Sequence, residues 1–409
     1  MSRLSKLMIV LSAVLLLFMF GCKKKTTDAE VTDVTSAAKV VEAKEIVFGV
    51  QGPETGEIAV YGLQTLYGAE LAVKEINESG GVNGKPIRIV HYDSRGDKAE
   101  ALTVAQRLIN NDKVCSILGE PTSGACFAIR NTINDSKTIQ ISAGATAENV
   151  TVEIEKNGDK TNLPYVFRNT LLDNYGAPAT IKYLMENKGW NNYVIFTSIN
   201  NDYSIGLSTT FRNAIGEYGG TVVAEQTIAD KDTNISAQVT ALKGKNFDAV
   251  VFSGYYQEAS LILLELRKQG FEQPLVGGDG LQSPELYNVA KDAAVGSVFF
   301  AGFSTSSENE LVVNFNRKIN EARHDSDMFA AQGYDAIYLL ANAAKAANVT
   351  NCADPAQREA MKDALATTKN FQGVSGEMDF DDDGNAIKPP FIQEVVKDSD
   401  GNYIFKLLN

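Results

Sequence analysis

Along this chain, short unbroken apolar runs alternate with longer stretches in which apolar residues recur every three or four positions. The first run, Glu45 to Val50, predicts a strand, and the turn Gly52-Pro53-Glu54-Thr55-Gly56 leads into a predicted helix carrying Leu63, Leu66, Ala69, Val73 and Ile76. Gly80-Gly81 ends that helix, Pro86 precedes a strand from Ile87 to Tyr92, and a polar loop through Asp93 and Gly96 enters a helix with Leu102, Ala105, Leu108 and Ile109. Further strands are predicted at Val114 to Leu118 and Thr138 to Ser142. An alternation of strand and helix calls for a parallel sheet covered on both faces, and fully apolar strands suit burial on both faces.

After a polar segment from Glu148 to Asn162, read as a surface excursion, the pattern restarts with a helix over 176–187, a strand Tyr193 to Thr197, a polar loop, a helix over 205–218, Gly219-Gly220 and a strand Thr221 to Ala224. The unit of strand, Tyr-bearing loop, helix, Gly-Gly and strand thus occurs twice, with Tyr61 and Tyr203 at comparable places, which implies two similar lobes facing one cleft. The second lobe continues through Ala249 to Ser253, a helix Glu258 to Gln269, a strand Pro274 to Val276, the turn Gly277-Gly278-Asp279-Gly280 and a strand Val295 to Ala301. Helices are predicted over 309–321 and 329–347, the latter apolar nearly all round and so buried. Residues 376–407 alternate around Asp381-Asp382-Asp383-Gly384-Asn385 and Asp398-Ser399-Asp400-Gly401, as short antiparallel strands joined by turns do. The first of those turns lacks the spaced ligands of a calcium loop.

The candidate chemistry sits where two of these strands end. After Val114 to Leu118, the Gly119-Glu120-Pro121 turn gives way to a helix start at which Thr122 or Ser123 can act as N-cap. A helix N-terminus offers unpaired N–H groups and partial positive charge, so a hydroxyl beside it also suits a ligand carboxylate. The loop Ala143-Gly144-Ala145-Thr146 follows the next strand, so Ser123 and Thr146 can converge on one molecule in the crevice beyond the carboxyl ends of a parallel sheet.

A chain of 409 residues exceeds what one core usually supports, so two lobes are the default, and 22% charged with 44% hydrophobic residues excludes wholesale disorder and a polytopic membrane protein. At the N-terminus Arg3 and Lys6 precede an apolar run from Leu7 to Phe20, shorter than the roughly 20 residues a transmembrane helix needs, and this reads as a secretory signal. The following Gly21-Cys22 resembles a bacterial lipoprotein signal, in which cleavage before Cys22 leaves that residue lipid-bearing, although Met19 stands where Leu is usual; the alternative is an incidental Cys in an ordinary signal peptide. Residues 1–21 are thus expected to be removed, and 22–44, beginning with the basic run Lys23 to Lys25, to form a tether and flexible linker.

Removing Arg3 and Lys6 from the 38 basic residues leaves 36 against 51 acidic ones, a formal charge near −15 that argues against nucleic acid as a partner. Cys115, Cys126 and Cys352 remain, an odd number that leaves at least one free thiol in an exported protein; Cys115 in a strand and Cys126 one turn into a helix read as buried thiols packing as small hydrophobes. His91 and His324 are too few and too isolated for a zinc site or a Ser/His/Asp triad.

Taken in order, Gly68 to Asn77 with Gly80 to Gly84, Ile141 to Thr146, Gly254 to Glu258, Gly277 to Gly280 and Gly333 to Ala336 resemble the periplasmic binding proteins of the branched-chain amino acid transport class, over about residue 45 to the C-terminus. The resemblance implies a type I fold of two Rossmann-like α/β lobes with parallel sheets and three interlobe crossovers, near 168–170, 302–304 and 378–382. The lobes would comprise 45–168 with 303–379 and 169–302 with 380–409.

It also implies roles. Ser123 matches the carboxylate-binding residue, Gly144 and Thr146, with Ala145 between them, match contacts to carboxylate and ammonium, and Tyr203 matches a tyrosine that closes over the ligand. Asp279 stands where the family places an acid, usually Glu, against the ammonium, and Tyr61, Tyr255 and Asp173 fall at cleft-facing positions. A disulfide found in some members is absent, since the matching positions are Gly96 and Thr122. A zwitterion needs hydroxyl and N–H donors at one end, an acid at the other and an apolar or aromatic wall, and all three kinds of group are present.

The leading expectation is therefore a monomeric, lipid-anchored, extracytoplasmic solute-binding protein of an ABC importer. It would bind an aliphatic amino acid such as leucine, isoleucine or valine, need no cofactor or metal, and deliver its ligand to the transmembrane permease subunits. Alternatives are a same-fold receptor for amides, urea or aromatic acids, or a sensory ectodomain, against which no membrane span or signalling domain follows the lobes. An enzyme is not expected. The chain has no Gly-x-Gly-x-x-Gly after a strand, no phosphate-binding Gly-Lys-Ser/Thr loop, no Gly-x-Ser-x-Gly elbow and no His near a nucleophile.

Overall fold

The computed structural model describes residues 44–409, so the expected signal peptide, the lipid-bearing Cys22 and nearly all of the linker lie outside the described residues. Strand β1 (Ile46–Gly52), helix α1 (Ala59–Glu78), β2 (Ile87–Asp93), α2 (Lys98–Arg107), β3 (Ser116–Leu118), α3 (Ser123–Ser136) and β4 (Ile139–Ser142) follow in the expected alternation. The 148–162 segment adds a short hairpin of β5 (Val152–Ile154) and β6 (Lys160–Asn162), after which β7 (Val166–Arg168) completes a five-stranded sheet ordered β2-β1-β3-β4-β7, parallel at every pairing. Burial follows from the sequence: β3 and β4 are buried at every position, as strands covered on both faces must be.

The second half contains α4 (Asp173–Lys188), β8 (Asn192–Ser198), α5 (Asp202–Glu217), β9 (Thr221–Ile228), a short α6 (Ser236–Thr240), β10 (Ala249–Phe252), α7 (Tyr256–Lys268), β11 (Leu275–Gly277), α8 (Glu285–Ala290) and β12 (Val298–Ala301). Helices α9 (Glu310–Glu321), α10 (Met328–Ala346) and α11 (Pro355–Ala366) precede five strands, β13 (Phe371–Gly373), β14 (Gly376–Phe380), β15 (Ala386–Ile387), β16 (Phe391–Lys397) and β17 (Tyr403–Leu407). The seven-stranded sheet is ordered β17-β16-β12-β11-β10-β8-β9, with β16 and β17 antiparallel at its edge. Asp381 Oδ1 accepts from the amides of Asp383 and Asn385, so that acidic run is a turn held by its own first carboxylate.

Two expectations need correction. Cys115 is not a thiol: it is disulfide-bonded to Cys352, tying the start of β3 to the segment before α11, while Cys126 is free and buried. The bond joins residues 237 apart in sequence, a distance at which spacing carries no signal. Tyr61 and Tyr203 are also not loop residues. Both lie in the first turn of a helix, α1 and α5, and are buried there.

Candidate functional site

The loops after β3 and β4 form one side of the site. Thr122 is the N-cap position of α3, but no side chain caps this helix, and Ser123 is its first residue. The capping role read for Ser123 is therefore not the one it plays. Its Oγ accepts the Ala147 N–H at 3.2 Å, which uses a lone pair and leaves the hydroxyl proton uncommitted. The Thr146 hydroxyl, equally buried, has no hydrogen-bond partner among the described residues. Gly144 is required by space, because a Cβ there would stand 2.6 Å from both the Phe329 ring and the Pro121 carbonyl.

One side chain that the sequence did not single out holds this loop in shape. Arg168, at the end of β7, is fully buried and donates to the carbonyls of Ala145 (2.9 Å), Ala147 (2.7 Å) and Glu148 (3.0 Å) and to Asn385 Oδ1 (2.7 Å). Burial lowers its pKa only to about 10, so it stays cationic, and it stands near Asp173. Its only sequence signal is a charge placed directly after the apolar Val166-Phe167.

The opposite side comes from the seven-stranded layer. Asp279, in the turn after β11, is buried and accepts from the Tyr203 hydroxyl at 2.9 Å. Tyr203 and Tyr255 stack in parallel at 5.6 Å, and Tyr61 meets Tyr255 edge-on at 5.6 Å and stacks on Phe329 at 4.3 Å. The Tyr61 hydroxyl donates to the Gly280 carbonyl at 2.8 Å, joining α1 to the turn after β11. Together with Pro121, Thr122, Ser123 and Gly144 these residues line a narrow cavity of about 10 Å³. Tyr256, by contrast, sends its hydroxyl away to the Glu57 carbonyl.

Of the nine expected site residues, Ser123, Gly144, Tyr61, Tyr203, Tyr255 and Asp279 line the cavity. Ala145 lies behind it, with N–H and carbonyl both spent internally. Asp173 starts α4 and is tied to the ligand loop through its N–H, which donates to the Thr146 carbonyl at 3.1 Å. Both of its carboxyl oxygens are buried without hydrogen-bond partners among the described residues. The Thr146 hydroxyl is close enough to the carboxyls of Asp173 and Asp279 to favour their charged forms, yet meets hydrogen-bond geometry to neither. Burial is the main cause that pushes both acids well above the ordinary carboxylate range; for Asp173 the charge of Asp279 adds to it. Phe329 went unforeseen because α10 is apolar along nearly its whole length, so no single aromatic stands out as a wall.

Residues 45–402 match the family model described as periplasmic binding protein. A Leu/Ile/Val-binding protein of Rhizobium johnstonii is 26% identical over 372 residues, 90% of this chain and 95% of the relative. A leucine-, isoleucine-, valine-, threonine- and alanine-binding protein of Pseudomonas aeruginosa is 26% identical over 351 residues, 85% of this chain and 89% of the relative. Among solved structures, the branched-chain amino acid transporter substrate-binding protein LivJ of Streptococcus pneumoniae, in complex with isoleucine, is 33% identical with a TM-score of 0.78, covering 89% of this chain and 99% of that one.

The chain belongs to the periplasmic binding proteins of the branched-chain amino acid transporter class. The family is extracytoplasmic and binds substrate rather than converting it, and no described helix is long and apolar enough to cross a membrane. A periplasmic binding protein must hold its substrate without leaving buried polar groups unmatched. At this site the groups with capacity left are the hydroxyls of Ser123 and Thr146 and the carboxyl of Asp173, while Asp279 is bonded to Tyr203.

Proposed function

We propose that this binding protein takes up an aliphatic α-amino acid, with leucine, isoleucine and valine as the first candidates, and passes it to the permease of an ABC importer while anchored to the membrane through Cys22. One observation carries this reading: Ser123 and Thr146 keep free hydroxyl donors and Asp173 and Asp279 are buried carboxyls in the same small region, where Ser123, Asp279, three tyrosines and Phe329 line the cavity and Thr146 and Asp173 lie just outside its lining. A ligand carboxylate satisfies the first pair and a ligand ammonium the second, and the rings supply the apolar wall. An aromatic acid or an amide would use the hydroxyls but bring no cation to the two acids, and so would forgo the charge-assisted bonds that an ammonium makes there.

Lobe boundaries at 45–168 with 303–379 and 169–302 with 380–409 are part of the same proposal. They agree with the five-stranded sheet drawing its strands from 46–168 and the seven-stranded sheet from 192–301 and 391–407. Closure would then be read by the permease, and the Tyr61 to Gly280 hydrogen bond and the Lys98 to Asp202 ion pair, at 2.5 Å, span the cleft.

The test is thermal unfolding of the chain from residue 26 with each of the twenty amino acids, urea, short amides and benzoate. A ligand that binds only the folded state raises the melting temperature by mass action. A rise with leucine, isoleucine or valine supports the proposal. A rise with benzoate or an amide alone would overturn the ammonium assignment. Labelling with a radioactive fatty acid, lost on Cys22→Ser, tests the anchor.

A further inference from the structure

The two ligand loops do not touch by chance; they share one hydroxyl. Ser142, the last residue of β4, is fully buried and lies outside the cavity. Its Oγ donates to the carbonyl of Glu120 at 2.6 Å, which belongs to the loop carrying Ser123. The same Oγ accepts the Ala145 N–H at 3.0 Å, in the loop carrying Thr146, and approaches the Gly144 N–H at 3.4 Å. Its backbone carbonyl accepts from the Asn169 N–H at 3.1 Å, in the segment leaving β7. A serine hydroxyl has one proton and two lone pairs, so this one is used in full.

The Glu120 end of the bridge is itself fixed. Its carboxyl accepts from Gln51 Nε2 at 2.7 Å and Ser94 Oγ at 3.0 Å, and the neighbouring Gly119 carbonyl accepts from Gln140 Nε2 at 2.8 Å. The backbone that presents Ser123 is therefore clamped to β1, to Ser94 just past β2 and to β4, and among the described residues Ser142 carries that clamp directly across to the Thr146 loop from beneath. The Ala147 to Ser123 hydrogen bond closes the same pair of loops from above.

The structure assigns Ser142 as a positioning residue for substrate binding: its hydroxyl fixes the separation of Ser123 and Thr146 so that both meet one carboxylate. This rests on the carboxylate reading of those two residues. Preorganised donors bind because no ordering cost remains to be met on association; removing the bridge restores that cost without removing any ligand contact.

The experiment is a double-mutant cycle by titration calorimetry on the full chain, using Ser142→Ala, Ser123→Ala and both together, with leucine, isoleucine, valine and benzoate as probes. Ser142→Ala is expected to weaken binding about tenfold, as loss of a buried hydrogen bond that prearranges a charge-assisted one would. In the Ser123→Ala background the same change should weaken it much less, so the two factors do not multiply. Ser142→Cys, which keeps a poorer donor and acceptor, should fall between serine and alanine, and it carries the test if the alanine variant does not fold. A merely structural role would lower the melting temperature of the unliganded protein and leave the factors multiplicative. An unaltered chain that binds, with Ser142→Ala binding equally well or with multiplying factors, overturns this assignment alone; an unaltered chain that binds none of the four probes overturns the carboxylate reading with it.

Discussion

Replacing Ser123 by alanine separates a structural hydrogen bond from a functional one, because the two sit on different atoms of one hydroxyl. The oxygen accepts the Ala147 N–H at 3.2 Å whether or not substrate is present, so its loss leaves a buried amide unpaired in free and bound protein alike. That costs about 1 to 3 kcal/mol of folding stability, a loss shared by the free and bound protein, and reaches binding only through looser spacing of the two loops. In a domain of this size it lowers the melting temperature of the unliganded protein by a few degrees. The proton, by contrast, is free to donate to a carboxylate in a site shielded from water, and a charge-assisted bond of that kind contributes about 1.5 to 3 kcal/mol to binding. Titration calorimetry with leucine should show Kd rising roughly 10- to 100-fold. A melting temperature that falls while Kd stays unchanged would refute the reasoning, for it would show that Ser123 serves only its own loop.

Asp279→Asn should weaken leucine far more than 4-methylpentanoate, its deaminated analogue, in the same assay; equal losses would remove the ammonium role. Leucine affinity should rise as pH climbs through the interval above the ordinary carboxylate range, because Asp173 and Asp279 hold protons when free and an ammonium favours their ionised forms, so titrations in buffers of different ionisation enthalpy should show proton release. Stability of the unliganded protein should move the other way. Glu120 and Asp327, both buried and raised to about 7, bind more protons folded than unfolded, so their contribution is full below about pH 4 and is lost as pH rises toward 7, and melting curves should shift down across that range. Reduction of Cys115–Cys352 should cost about 2 to 5 kcal/mol, since it frees a very long loop in the unfolded chain, and should leave Kd unchanged because neither sulfur lines the cavity.

What could be read in the sequence was whatever depends on local pattern. Strands such as β8 and β10 are buried at nearly every position and so appear as apolar runs, while β4 (Ile-Gln-Ile-Ser) buries two polar residues as well, and paired glycines mark where α1 and α5 stop. Ser123, Gly144, Thr146 and Asp279 were visible as polar or small residues at strand ends, the place where an open parallel sheet leaves a crevice. The unread features are those set by contacts distant in sequence. The Cys115 to Cys352 bond needs two segments brought together from opposite ends of a lobe, and Phe329 becomes a cavity wall only because Gly144 and Pro121 come up against it. Helix α11 was missed for a different reason: Asp354-Pro355, a capping residue followed by proline at the first helical position, was a local signal that went unused.

Arg168 and Ser142 show why a site's chemistry is harder to read than its location. A residue type states what a side chain can donate or accept, not how much of that capacity the fold consumes. Arg168 spends four of its five N–H donors on three carbonyls and one amide oxygen, and Ser142 spends its proton and lone pairs on two loops, so both serve the loops rather than the cavity. Ser123 spends only a lone pair, and Thr146 and Asp173 spend nothing of their side-chain polar atoms. The difference follows from position: Ser142 is still within β4 and faces the backbone of the neighbouring strand end, whereas Ser123 and Thr146 lie past the sheet, where the crevice begins. In a buried setting an uncommitted polar group is costly, which makes such groups collectively informative. At this site they are hydroxyl donors and carboxyls gathered about one cavity, and a zwitterion is the small molecule that satisfies both kinds at once.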